Sequence, residues 1–259
     1  FNIGLDLGFF DNRISLSMEY YNRIISDLLV SNKSLPAYNE INTIAANIGK
    51  TQGRGFELTL STVNIMNKDW TWSTDFTFYT FKDNWYERDP NWKPAAYESK
   101  KDPIRSYYSY VSDGLLQVGE KAPAWQPTLV PGQIKLKNLY DTGTSPNVLD
   151  QYDKVNLGSQ DPKCTLGLNN TLRYKNLDFN IYFYGEIGRL RGASYYDAWI
   201  VGLGNSLTNV SQQSLHSYTN ANQNTTVPNL IESAYDFGDY YHKKINYLRC
   251  RNITLGYTI

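Results

Sequence analysis

The side chains best suited to touch a ligand in this chain are aromatic. Trp85, Tyr86, Trp92, Tyr97, Tyr107, Tyr108, Tyr110, Trp125, Tyr195, Tyr196 and Trp199 all fall in long stretches that read as loops. Flat aromatic faces stack on sugar rings and also bury the apolar side chains of peptides. Taken singly, folding its own loop or joining an interfacial aromatic belt is the favoured reading of each residue. Taken together they describe a vestibule suited to glycans or peptides. No catalytic set accompanies them. His216 and His242 lie in polar sequence with no nucleophile motif nearby, and neither a zinc-protease, a serine-elbow nor a phosphate-loop pattern occurs. Cys164 and Cys250 sit far apart in strand-like runs, without zinc or redox spacing, and read as small apolar fillers. The chain is therefore expected to be neither an enzyme nor a metal or cofactor protein.

The elements that must position these aromatics are strands with a period of two. Phe1, Ile3, Leu5, Leu7 and Phe9 alternate with Asn2, Gly4, Asp6 and Gly8, and after a turn at Phe10 to Arg13 the pattern resumes at Ile14, Leu16, Met18 and Tyr20. Such alternation puts one face of a strand in an apolar medium and the other in water. A second hairpin joins Gly55–Val63 to Trp70–Phe81 through a turn at Asn64 to Asp69. A third joins Cys164–Tyr174 to Leu177–Ile187 through Lys175-Asn176, and a last strand runs from Tyr247 to Ile259. The sequence thus predicts seven strands of membrane-spanning length.

The connections are asymmetric. Turns within hairpins are tight, whereas the links between hairpins, Ser26–Arg54, Lys82–Lys163 and Gly188–Asn246, are very long. Structureless loops of that size are unusual in a compact soluble domain. Short turns on one side and long loops on the other are the construction of outer-membrane β-barrels. Within the loops, Asn39–Asn47 and Ala193–Gln213 are expected to hold short helices. No apolar run is long enough for a transmembrane helix, and barrel strands need only about ten residues each. The formal net charge is zero, so no bulk attraction to nucleic acid is implied. Seven strands leave two unpaired edges, and the chain opens and closes on strands, so a fragment of a larger barrel is expected.

Four groups of residues carry a family resemblance. They are Gly4-Leu5-Asp6-Leu7-Gly8-Phe9-Phe10-Asp11-Asn12-Arg13-Ile14 with Glu19-Tyr20-Tyr21 and Ser26-Asp27-Leu28-Leu29; Leu35-Pro36, Asn47-Ile48-Gly49 and Arg54-Gly55-Phe56-Glu57 before Trp70-Thr71-Trp72; Pro103-Ile104, Tyr107-Tyr108-Ser109-Tyr110 and Asp113-Gly114-Leu115-Leu116-Gln117; and Tyr247-Leu248-Arg249-Cys250-Arg251-Asn252-Ile253-Thr254-Leu255-Gly256-Tyr257. Each is weak alone. In this order and spacing, across nearly the whole chain, they resemble the SusC-like branch of TonB-dependent transporters, the RagA/SusC family of Bacteroidetes nutrient importers. The resemblance implies an all-β fold: the C-terminal strands, 1–259, of a larger antiparallel transmembrane barrel of roughly 22 strands, with long extracellular loops. It implies that the plug domain and TonB box lie outside this chain.

The same resemblance implies location in the cell outer membrane, uptake of oligosaccharides or peptides, and a SusD-like surface lipoprotein as partner. It also implies energy from the TonB complex acting through the absent plug, and contact with outer-membrane lipid. Charges in strands and turns, Arg13, Glu57, Arg249 and Arg251, are expected to face the lumen or an interface, because charge facing lipid is costly. The family often carries a calcium-like acidic loop after a Pro-Gly-Ile segment. Pro131-Gly132-Gln133-Ile134-Lys135 matches the lead-in, but Asn138-Leu139-Tyr140-Asp141-Thr142-Gly143 has too few carboxylates before its glycine, and a surface turn is the favoured reading. The alternative is a soluble all-β glycan-binding module. It would bury its apolar face against a second sheet and carry loops of similar length at both ends.

Overall fold

A computed structural model describes residues 1–34, 43–88, 93–140, 147–192, 212–229 and 237–259. Its strands are β1 (Asn2–Phe9), β2 (Ile14–Ile25), β3 (Leu29–Ser34), β4 (Thr43–Asn47), β5 (Lys50–Met66), β6 (Trp70–Glu87), β7 (Ser106–Ser109), β8 (Ser112–Leu115), β9 (Ile134–Leu136), β10 (Val155–Ser159), β11 (Cys164–Tyr174), β12 (Leu177–Arg191) and β13 (Lys243–Tyr257). Seven of them form one antiparallel sheet in the order β1-β2-β5-β6-β11-β12-β13. Each strand of that sheet pairs with the next one along the chain, skipping only the loop strands. Three small two-stranded sheets, β3-β4, β7-β10 and β8-β9, belong to the connections. The sheet does not close; the outer edges of β1 and β13 have no strand partner among the described residues.

The seven long strands and three tight turns follow the sequence pattern. In the first turn Phe10, Asp11 and Asn12 are left-handed (φ 55, 51 and 61°), and the Arg13 amide donates to the Phe10 carbonyl at 3.1 Å. Arg13 lies in this turn, its guanidinium donating to the carbonyls of Val63 and Asn64. The strands β5 and β6 run further than expected, to Lys50 and Glu87 at their far ends, and β13 starts at Lys243 rather than Tyr247. The helix expected over Asn39–Asn47 is not formed at 43–47, which pair with β3 as strand β4; β-branched Thr43 and Ile44 suit a strand. Positions 39–42 lie outside the described residues. So does most of the helix expected over Ala193–Gln213, although a 3-10 helix, Gln212–His216, opens at its end.

Register decides what each face of the sheet meets. Across the middle of the sheet Leu7, Leu16, Leu60, Phe76, Leu168, Phe183 and Cys250 lie side by side. The next row of the same face is Leu5, Met18, Leu58, Phe78, Leu166, Gly185 and Leu248. No second sheet covers this face: Leu5, Ile253 and Leu255 are 50%, 64% and 71% exposed. The buried face that the soluble-module alternative requires is therefore missing among the described residues. On β6 the outward run goes from Trp70 to Thr80, a span of ten residue steps. At about 3.4 Å per residue and a tilt near 40° that is roughly 26 Å, the height of a barrel's apolar band. Aromatic residues mark its lower rim: the rings of Trp70 and Tyr174 lie 4.3 Å apart, and Trp72 donates its indole N–H to Asn170 Oδ1 at 3.1 Å.

The opposite face is polar and internally hydrogen-bonded. Glu19 and Glu57 are direct cross-strand neighbours, and Asn2 donates to Glu19. Asp75 accepts from Ser61 at 2.7 Å and from Asn169 at 3.5 Å, and Asn180 donates to Asn169 and Thr171. Arg249 and Arg251 lie over the rings of Tyr247 and Tyr184, at 4.5 and 5.5 Å. A register shift between Tyr182 and Phe183 leaves Arg251 as the extra residue of a bulge. That bulge lets both arginines share the polar face while Cys250 between them stays outward. Both cysteines are free; Cys250 is exposed and so fills no packed space.

Candidate functional site: the outer loop cluster

The buried core of this protein lies in its long connections, not in its main sheet. Leu115, Ile134, Leu136 and Tyr218 form it, with Tyr110, Leu149, Phe237, Tyr240 and Tyr241 packed around them. These residues are drawn from two of the long connections, Lys82–Lys163 and Gly188–Asn246, and polar groups lock the two together. The Tyr218 hydroxyl accepts from the Val118 amide at 3.0 Å and donates to Gln117 Oε1 at 3.3 Å. Asp239 accepts from the amide and the hydroxyl of Ser112 at 2.7 and 2.6 Å. The cluster is tied to the barrel wall by a bridge between Asn84 on β6 and Pro103.

Five of the aromatics singled out from sequence help hold this cluster together. Trp125 is half-buried and donates its indole N–H to the Leu136 carbonyl at 2.8 Å. Tyr108 donates to Asp102 at 2.8 Å and packs on Tyr97, with ring centroids 5.1 Å apart. Burial and the Asp102 carboxylate push the Tyr108 phenol far above its ordinary range, so it stays a donor. The Lys154 ammonium lies 5.6 and 5.1 Å from the rings of Tyr97 and Tyr110. Tyr107 meets the ring of His242 edge-on at 5.3 Å. Trp85 and Tyr86 are not in a loop: both belong to β6, which continues past the apolar band to Glu87. Trp85 covers Gly49 and carries Arg88 at 5.2 Å from its ring, whereas Tyr86 is exposed. Trp92, Tyr195, Tyr196 and Trp199 lie outside the described residues.

Two exposed tyrosines escaped sequence reasoning. Tyr140 and Tyr152 present their rings to solvent, and Leu139 and Val148 are exposed as well. They are held by Asp153, which is fully buried. Its carboxylate accepts from the amides of Leu139 (2.6 Å), Tyr140 (3.0 Å) and Asp150 (2.9 Å) and closes a capping box with Asp150. The only hint in sequence was the pair Asp150 and Asp153 beyond the degenerate acidic loop. Asp141, Thr142 and Gly143 of that loop lie outside the described residues. Replacing Asp153 with Ala leaves those amides without their acceptor. It is expected to cost about 2 kcal/mol and to raise amide exchange at 138–140, measured by hydrogen–deuterium exchange on the full-length parent.

His242 gives the cluster a pH response. Burial lowers its pKa from the ordinary 6.5, against the opposing pull of Asp239, and its Nδ1 is buried with no hydrogen-bond partner among the described residues. A depressed imidazole contributes stability that is complete above the unfolded value and lost as pH falls through the folded one. Acidification from pH 7 to below 6 is therefore expected to loosen the segment around Tyr107 and His242. Amide exchange measured across that range checks it, and His242→Phe should flatten the response.

An uncovered apolar belt, a polar inner face, tight turns at one end and a built loop cluster at the other define a class: part of an outer-membrane β-barrel. The chain is 28% identical to TonB-dependent receptor P3 of Formosa agariphila over 272 residues, which covers 100% of this chain and 26% of that protein. It is 27% identical to TonB-dependent receptor SusC of Bacteroides thetaiotaomicron, covering 99% of this chain and 25% of that one. The fold superposes on the RagAB peptide transporter with a TM-score of 0.74 at 20% identity, over 99% of this chain and 28% of that chain. No protein-family model matches. The chain is similar to these TonB-dependent receptors in sequence and to the RagAB transporter in fold, and it spans about a quarter of the length of the curated relatives it matches.

Proposed function

We propose that this chain supplies the C-terminal strands and outer loops of a nutrient importer that takes up oligosaccharides or peptides. The observation that carries this reading is the pairing of a lipid-height apolar belt with a loop cluster that has a core of its own. Loops that serve only as linkers do not require such a core. In this reading a plug domain fills the lumen against the polar face. The adjacent carboxylates Glu19 and Glu57, costly as direct neighbours when left alone, await cationic groups from it. A SusD-like surface lipoprotein closes over the loops, and a TonB complex drives transport through the plug.

The aromatic residues contribute in two ways. Trp125, Tyr107, Tyr108 and Tyr110 shape the vestibule from within. Tyr86, Tyr140 and Tyr152 offer exposed rings to substrate, and Trp92, Tyr195, Tyr196 and Trp199 are further candidates for substrate contact by residue type alone. RagAB is described as a peptide transporter, which favours peptides, while the similarity to SusC leaves glycans in view. Deleting the full-length gene and comparing growth on defined oligosaccharides and on defined peptides as sole nutrient tests the reading. Loss of growth on one class supports it and names that class. Unchanged growth on every class, with the protein expressed, overturns it.

A further inference from the structure

A cavity of about 460 Å³ sits in the barrel wall between β6, β10 and β12, above the start of β11. Three lysines line it, Lys82, Lys163 and Lys244, alongside apolar Leu157 and Leu190. All three lysines are exposed, and none makes an ion pair with a described residue. The two carboxylates of the cavity are already engaged: Asp161 pairs with Arg105 at 2.8 Å, and Asp83 accepts the backbone N–H of Ile104. The lysines are therefore the uncommitted charge of the site.

Its height in the wall is fixed by register. Thr80 is the last outward residue of the apolar run on β6, and Lys82 is the next outward position. It lies in one cross-strand row with Arg54 and Asn22. The cavity includes both Thr80 and Lys82, so it reaches the outward face where hydrocarbon gives way to headgroups. Lys163 is set into it by Gly188, where a Cβ would come within 2.8 Å of the lysine's Cγ and Cδ. Gly188 lies at a register shift of β12 against β13 between Glu186 and Arg189, and its lack of a side chain gives the lysine stem its bed.

We propose that this cavity binds the phosphorylated headgroup of an outer-leaflet lipid. Three lysines offer ammonium donors to phosphate oxygens, while Leu157 and Leu190 take the apolar shoulder of the same molecule. Basic pockets at headgroup height are suited to anionic lipid, each lysine contributing roughly a five-fold gain in affinity.

The test uses the full-length parent, stripped of lipid in detergent and titrated with purified lipid A, with bound molecules counted by native mass spectrometry. Wild type is expected to retain lipid A. The variant Lys82→Gln/Lys163→Gln/Lys244→Gln is expected to bind about a hundred-fold more weakly. Lys68→Gln/Lys175→Gln, at the tight-turn end, should bind like wild type. Inorganic phosphate is titrated in parallel. If phosphate alone saturates the site and lipid A does not displace it, the ligand is a free anion and the lipid proposal fails. Equal retention of lipid A by the triple variant and wild type also overturns it. Heat-modifiable migration reports folding of each variant. Should the triple variant not fold, the singles Lys82→Gln and Lys244→Gln carry the same test, with about five-fold weakening expected of each and no weakening contradicting the site.

Discussion

Leu60→Arg in the full-length parent is expected to destabilise the barrel by about 2–4 kcal/mol, the depth-dependent cost of arginine at the bilayer midplane, whereas Thr59→Arg one residue away should cost less than about 1 kcal/mol. Leu60 lies in the central outward row, between Leu16 and Phe76. Thr59 lies between Ser17 and Thr77 on the polar face and is exposed there. The two positions share a strand and nearly the same depth, so the face they occupy is what distinguishes them. The fraction of barrel folded in lipid vesicles, followed by gel migration against urea concentration, reads both. Equal costs at the two sites would remove the assignment of faces.

Gly132→Ala is expected to cost about 2–5 kcal/mol within the loop cluster, while Gly119→Ala costs about 1–2 kcal/mol. Both glycines have positive φ, +86° and +85°, so each alanine carries backbone strain of about 1–2 kcal/mol. Around Gly119 an added Cβ meets nothing within 4 Å. At Gly132 it would lie 2.6 Å from the Tyr218 ring and 2.9 Å from Asn229 Cβ, which adds an overpacking cost of about 1–3 kcal/mol. The Gly132 amide donates to the Leu116 carbonyl at 2.7 Å and its carbonyl accepts from Asn229 at 2.9 Å. The backbone therefore has little room to retreat. Hydrogen–deuterium exchange at 115–118, 132–136 and 217–218 should rise in the Gly132 variant while the barrel itself keeps its heat-modifiable migration.

The main sheet was legible because lipid and lumen impose a period of two on every strand that crosses between them. All seven strands and all three tight turns could be read from that period. It stops where the membrane stops. Above the apolar band the outward positions of β5 and β6 become Arg54, Gln52, Lys82 and Asn84, and polar residues then occupy both faces. The strands continue by backbone pairing without that alternation, which is why Trp85 and Tyr86 read as loop residues. The loop cluster was illegible for a different reason. Leu115, Ile134 and Tyr218 meet in one core although no local period links them, and strands of three or four residues such as β7, β8 and β9 are too short to show alternation. The Pro131-Gly132-Gln133-Ile134 segment was recognised only by resemblance. Its physical role, a left-handed glycine wedged under Tyr218, appears when distant chain segments are brought together.

The central claim is that the face carrying Leu60, Phe76 and Leu168 meets lipid and the face carrying Thr59, Asp75 and Thr77 meets the lumen. Spin labels placed one at a time from position 74 to 79 of the full-length parent in vesicles, in a background with Cys164 and Cys250 replaced by Ser, test it most directly. The account predicts that collision with oxygen dissolved in the bilayer peaks at 76 and 78, and that collision with a water-soluble nickel chelate is higher at 75, 77 and 79. Uniform aqueous access at all six positions, or alternation of the opposite phase, would contradict it.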